Sequence, residues 1–227
     1  MNYKLILFDI DGTLVWTRGA GREATRRAMI EVFGTCAALE THVFGGKTDW
    51  QTLIELLHAE GLTDADIQRM MPAYNIAMGR QLERVIGDYP VTPCTGGLEL
   101  VEDLRARGDI VLGLVTGNVS RSAPTKLRAA GYDPAWFPVG AYGDEAFSRD
   151  DLPALALARA VEYSHQPIAP KEVVIVGDTP ADVSCGRALG ATVVAVETGF
   201  CQPGELAAAK PDYLLKDLTE FYTAIPR

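Results

Sequence analysis

Three short segments of this chain carry residues whose types and spacing suit chemistry on a phosphate. The first is Phe8-Asp9-Ile10-Asp11-Gly12-Thr13-Leu14, directly after an apolar run at 5–8. Two carboxylates two residues apart leave a strand end together, and Gly12 allows a sharp exit. Such a pair can divide labour: one stays ionised as nucleophile or metal ligand, the other is pushed toward protonation and serves as an acid. The same residues also fit an aspartate-rich turn with Gly12 in a left-handed conformation. The second segment is Leu114-Val115-Thr116-Gly117-Asn118, where a hydroxyl and backbone amides suit a phosphate oxygen or oxyanion. The third is Val176-Gly177-Asp178-Thr179-Pro180-Ala181-Asp182, whose two aspartates can face one cation, directly or through water. Oxygen ligands with several waters are how magnesium is usually held beside phosphates. Asp182 also fits a helix N-terminus, where its charge is stabilised without any catalytic duty.

All three segments follow apolar runs of β type. Further such runs lie at 110–115, 173–176 and 192–196, with weaker ones at 137–139 and 213–215. Runs that are apolar throughout suit strands buried on both faces of a parallel sheet. Helical patterns over 98–107, 120–130, 152–163 and 181–189 alternate with them. That order implies a doubly wound α/β core, with its ligand site at the C-terminal ends of the strands. From 15 to 93 only helical patterns occur, at 21–33, 49–60 and 64–86. Thr63 is placed to cap the last, and Pro72 is expected to kink or divide it. The expected organisation is therefore a core of residues 1–14 and 94–227 with an all-α cap of residues 15–93 inserted after the first strand. An insert at that position is a candidate lid.

The formal charge of −9 argues against nucleic acid or an anionic membrane as a general partner. An anionic substrate then needs a local positive centre. The four cysteines form no CxxC pair and read as reduced thiols. The longest apolar runs are too short for a signal peptide or a membrane span, which makes the cytoplasm the expected location. The Gly-Gly-Lys-Thr stretch at 45–48 is no P-loop, because the first glycine that motif requires falls on Thr41 and no strand precedes it. There is no Gly-x-Ser-x-Gly elbow.

Taken together, Asp9-Ile10-Asp11-Gly12-Thr13, Thr116 and Gly177-Asp178-Thr179-Pro180-Ala181-Asp182 resemble the signature motifs of the haloacid dehalogenase superfamily, and within it the phosphoglycolate phosphatase-like hydrolases. The resemblance spans nearly the whole chain, including the position of the cap. It implies a magnesium-dependent phosphatase acting on a small phosphorylated metabolite such as phosphoglycolate, a sugar phosphate or a nucleoside monophosphate. Asp9 then matches the nucleophile that forms an aspartyl-phosphate, and Asp11 the general acid/base. Thr116, with Gly117 and Asn118, matches the phosphoryl-binding group. Asp178 matches a magnesium ligand, with Asp9 and the Asp11 carbonyl, and Asp182 supports it. The family also requires a basic residue between the second and third motifs. Lys126 lies early, on the helix after Thr116, and Lys171 is too close to the last strand, so Arg149 is the expected residue.

In the cap, the resemblance directs Lys47 or Thr48 toward the substrate, although Thr48 or Asp49 also fits a simple helix cap. Arg22, like Arg18, lies just after the first motif and could meet an anionic substrate tail. His42, His58 and His165 fall outside all motifs and are expected to be surface or packing residues. A sugar phosphomutase shares the same core and is the alternative activity. The absence of histidine between Thr13 and Glu40 favours hydrolysis over transfer. A non-catalytic binding protein is disfavoured, because the candidate nucleophile and metal ligands are all present. The oligomeric state is left open.

Overall fold

A computed structural model describes residues 3–226. The chain opens with strand β1, Leu5–Phe8, followed by a short strand β2, Val15–Trp16. Three long helices come next: α1, Ala20–Phe33; α2, Asp49–Leu57; and α3, Asp64–Val85. Strand β3, Thr92–Pro93, returns the chain to the sheet. Alternation then sets in: α4, Gly97–Arg107; β4, Val111–Val115; α5, Ala123–Ala129; β5, Val139–Ala141; α6, Leu152–Ser164; and β6, Val173–Gly177. It ends with α7, Pro180–Leu189; β7, Thr192–Val196; α8, Glu205–Ala209; β8, Tyr213–Leu215; and α9, Phe221–Ala224. No helix among the described residues is long and apolar enough to cross a membrane.

The main sheet has the order β5-β4-β1-β6-β7-β8, and every pairing in it is parallel. All four residues of β1 are buried, as an uninterrupted apolar run requires when both faces of the sheet are covered. One face packs Ile6, Phe8, Leu112, Leu114, Val174 and Val176; the other packs Leu5, Leu7, Val115, Val173 and Ile175. Because β1 pairs with both β4 and β6, the residues that follow these three strands emerge side by side. Asp9 N continues the ladder by donating to Val176 O at 2.9 Å, and Thr116 N donates to Ala141 O at 3.1 Å.

Helices α1 to α3 have an apolar cluster of their own, built on Ala24, Ala28, Met29, Leu53, Ile67, Tyr74, Met78 and Leu82. The two chain passages joining this unit to the sheet, β2 and β3, pair with each other antiparallel. Thr63 does cap α3. Its hydroxyl accepts from Asp66 N at 3.2 Å, and Asp66 Oδ2 accepts from Thr63 N at 3.1 Å.

Three expectations about elements need correction. Pro72 does not divide α3, which runs unbroken through it. Pro72 lies on the exposed face, while Ile67, Met71, Tyr74, Met78, Leu82 and Val85 form a continuous stripe facing the other helices, and that packing outweighs the one lost hydrogen bond. Helix α5 begins at Ala123 rather than 120: Pro124 in its first turn has no N–H to give to Ser120 O, while the Ser120 amide donates to Asp144 Oδ1 at 2.8 Å. Strand β5 starts at Val139, after Pro138, whose nitrogen has no proton for a ladder bond. Since Pro72 is exposed, Pro72→Ala should leave no cavity and should restore a helical bond. Urea unfolding is expected to show a gain of about 1–3 kcal/mol. A loss would mean that α3 depends on the local geometry the proline imposes.

Candidate active site

Asp9, Asp178 and Asp182 meet at the C-terminal ends of β1 and β6, with one oxygen from each lying within 4.8 Å of the others. All three are buried. Asp182 sits in the first turn of α7 and does serve as a cap. Its Oδ2 accepts from Thr179 N at 3.0 Å and from Thr179 Oγ1 at 2.7 Å, while its Oδ1 turns inward. Asp178 Oδ1 accepts from Thr13 Oγ1 at 2.9 Å. Gly12, at φ +85°, lets the turn after β1 pass over Asp178; a Cβ there would stand 2.5 Å from Asp178 Oδ2.

One guanidinium serves this cluster. Arg149 is 5% exposed. It places Nη2 2.5 Å from Asp182 Oδ1 and 3.2 Å from Asp9 Oδ1. Its Nη1 donates to Gly46 O at 2.7 Å, and its Nε is buried without a partner. Burial drives the Asp9 carboxyl up to about 6, Arg149 opposes this, and the charges of Asp182 and Asp11 add to it. Asp178 is raised well above the usual carboxylate range by burial, then by Asp9 and Asp182. Three carboxylates against one guanidinium leave net negative charge in a dry place, and Asp9 Oδ1, although ion-paired with Arg149, receives no well-aligned hydrogen bond among the described residues. Hard oxygen donors so placed, one each from Asp9, Asp178 and Asp182, fit a divalent cation.

Asp11 lies apart from this cluster. Its side chain is 35% exposed, and Oδ2 is 2.5 Å from Lys126 Nζ. Asn118 Nδ2 donates to the same oxygen at 2.8 Å and to Thr116 Oγ1 at 2.7 Å, while Asn118 Oδ1 accepts from Lys126 Nζ at 2.5 Å. Thr116, Asn118, Lys126 and Asp11 thus form one connected group. Lys126, expected to lie too early in the chain for the site's basic residue, is brought to Asp11 by the geometry of α5. It falls in the first turn, and helical side chains lean toward the N-terminus, here back to the end of β4. The missed signal is that position 126 lies on the apolar stripe 123, 127, 130. Lys171 is exposed, just before the N-terminal end of β6 and away from the site.

A family model for haloacid dehalogenase-like hydrolases matches residues 6–196, a span that contains the whole cluster. The chain belongs to that family. This hydrolase is similar over its length to curated relatives. A phosphoglycolate phosphatase of Haemophilus influenzae is 26% identical, with 98% of each chain covered. Two solved structures share the fold. A Haemophilus somnus chain provisionally assigned as a phosphoglycolate phosphatase has a TM-score of 0.70 at 22% identity, covering 99% of each chain. A Thermotoga maritima chain provisionally assigned as a β-phosphoglucomutase has 0.60 at 20% identity, covering 98% of each chain.

The carboxylates of the hydrolase open into a cavity of about 780 Å³ between the helical unit and the sheet. Lys47 lines it, its Nζ 2.5 Å from Glu55. Arg22 also lines it, but its guanidinium donates to Leu39 O and, at 2.9 Å, to His42 O, and packs over Phe44. These bonds hold the 39–44 loop and leave the guanidinium at the cavity wall, where a substrate tail was expected to meet it. The expectation for Thr48 needs correction. It is fully buried, accepts from Gln51 N at 3.0 Å and donates to Phe147 O at 2.8 Å, which leaves it as the cap of α2. His42, expected on the surface or in packing, does pack edge-on against Phe44 and also lines the cavity; its buried Nε2 makes no hydrogen bond among the described residues and lies 4.0 Å from Glu55 Oε2. His58 and His165 are exposed, as expected.

The cation's presence should be readable without turnover. In metal-free protein, the Asp9 contribution to stability should fall as pH rises from 3.8 through about 6, because the fold holds a proton that it must then release. Adding magnesium at pH 8 should raise the melting temperature, and the rise should shrink as pH falls through about 6. At 100 times its Kd the ion adds about 2.7 kcal/mol. Asp178→Asn should remove the magnesium response; a full response in that variant would move the cation elsewhere.

Proposed function

We propose that this hydrolase is a magnesium-dependent phosphatase that cleaves small phosphate monoesters through an aspartyl-phosphate on Asp9. The observation that carries this reading is the contrast between Asp9 and Asp11. They leave one turn but enter different surroundings. Asp9 sits in a dry, charge-rich cluster, where Oδ1 is ion-paired with Arg149 but takes no well-aligned hydrogen bond among the described residues. Asp11 sits at the cavity beside Lys126 and Asn118. We read residues 15–93 as a cap over a core of residues 1–14 and 94–227.

In this mechanism Asp9 attacks phosphorus, and the ester P–O bond breaks as Asp11 gives its proton to the departing alkoxide oxygen. Asp11, now a carboxylate, takes a proton from water. The resulting hydroxide attacks phosphorus, the acyl-phosphate bond breaks, and inorganic phosphate leaves Asp9 free again. Thr116, the Gly117 and Asn118 amides, and Arg149 take phosphoryl oxygens. Lys126 orients Asp11 and adds positive charge beside it. Magnesium, held by Asp9, Asp178 and the Asp11 carbonyl with Asp182 in support, would neutralise charge on the transferring group. Lys47 is the cap residue placed to meet the rest of the substrate. A phosphomutase is the second reading, favoured by one observation: His42, a cavity histidine on the cap side whose Nε2 makes no hydrogen bond among the described residues.

The test is phosphate release from a panel of small phosphomonoesters, with and without magnesium. Wild type should release phosphate only with the ion. Asp9→Asn should lose at least about a thousandfold, and Lys126→Met about a hundredfold, in kcat. Isomerisation of a sugar phosphate without phosphate release would select the mutase. Undiminished turnover by Asp9→Asn would rule out the covalent route.

A further inference from the structure

We propose that Asp49, in the first turn of α2, is a positioning residue that sets the loop 117–119 for phosphoryl binding when the helical unit is seated. This rests on the phosphatase reading above. Asp49 is 8% exposed, and its Oδ2 accepts from Val119 N at 2.9 Å. Its own amide donates to Gly117 O at 2.7 Å, and the next amide, Trp50 N, donates to Gly143 O at 3.1 Å. Gly143 N in turn donates to Asn118 O at 2.8 Å. The start of α2, partly through Gly143, therefore fixes the carbonyls of residues 117 and 118 and the amide of residue 119.

These bonds need close backbone approach. A Cβ on Gly117 would lie 2.0 Å from Lys47 O, and one on Gly143 would lie 1.8 Å from Gly117 O. Between the fixed groups stands Asn118, whose side chain joins Thr116, Asp11 and Lys126.

The helix itself does not need this carboxylate. Thr48 already supplies the N-cap bond, to Gln51 N. A carboxylate near a helix N-terminus gains from the helix dipole, but an exposed one gains that as well. Asp49 is instead buried, and burial pushes its carboxyl up to about 6, with Lys126 opposing. A buried acid held by a single amide of another element is best explained by what that amide does. Lifting the helical unit would break the bonds to Gly117, Val119 and Gly143 together. The loop is then in its binding geometry only while the cavity is covered, which ties phosphoryl recognition to exclusion of water.

Asp49→Ala removes the acceptor, whereas Asp49→Asn keeps an oxygen that can take the same bond. On the best ester of the panel, Asp49→Ala should lower kcat about 10- to 100-fold with KM within about threefold of wild type, and Asp49→Asn should stay within about threefold in both. Hydrogen exchange without substrate should quicken in the peptide spanning 117–122 in Asp49→Ala and not in Asp49→Asn. If circular dichroism shows Asp49→Ala unfolded, Asp49→Ser takes its place with the same expectation. Equal kcat and exchange in all variants would overturn the proposal, as would Asp49→Asn failing as badly as Asp49→Ala. If wild type releases no phosphate from any ester, the phosphatase reading fails, while the exchange comparison still decides whether Asp49 holds the loop.

Discussion

Three aspartate carboxylates gathered within 4.8 Å in a buried place repel one another, and most of the surrounding structure answers that constraint. Water is largely excluded, so the charge has to be met by fixed groups or by protons. Arg149 supplies one guanidinium, tied to two of the three carboxylates. The α7 N-terminus supplies Thr179 N to Asp182, and Thr13 supplies a hydroxyl to Asp178. Glycine backbone closes the sides: a Cβ at Gly199 would stand 1.7 Å from Asp178 Oδ2. The balance stays negative even so, which is why Asp9 and Asp178 are both raised. The fold does stabilising work elsewhere in the sheet to hold this arrangement, whose own groups would disperse if free.

The sheet order makes such a gathering possible. With β1 between β4 and β6, the three strand ends lie at neighbouring positions about 4.8 Å apart across the ladder. The helical unit returns to this same edge. Its loop gives Gly46 O to Arg149, and the start of α2 bonds to the loop after β4. The cationic side chain next to Asp9 is therefore held from both parts of the molecule. The cavity is formed where they meet, so its shape depends on how the helical unit is seated as well as on the sheet.

The sheet was legible because buried parallel strands are apolar throughout, and 5–8, 192–196 and 213–215 matched their observed bounds. The carboxylates were legible because a short turn after each strand leaves them few places to point. Lys126 was not. Its position depends on where α5 starts, and on Asp11 and Asn118, which come from other segments to meet its ammonium group. Thr48 was placed in the right region and given the wrong partner, because sequence shows a donor but not which nearby carbonyl claims it. Pro72 was judged by local propensity, which lost to the packing of the α3 stripe. His42 is placed by a loop held through Arg22, a contact between residues twenty positions apart that leaves no pattern in the sequence.

The division of labour between Asp9 and Asp11 is a matter of depth. Asp9 is 5% exposed, whereas the Asp11 side chain is 35% exposed and reaches the cavity. Each has its own cation. Arg149 keeps its charge at any working pH and is anchored to Asp182, so it suits a residue that must remain a carboxylate until it attacks. Lys126 is a compact point charge, and it sits against the carboxyl from which the proposed mechanism requires a proton transfer. Two aspartates from one turn thus acquire different surroundings because adjacent elements bring them different partners, and the roles proposed for them rest on that difference. A single basic residue serving both would couple their states and blur the distinction.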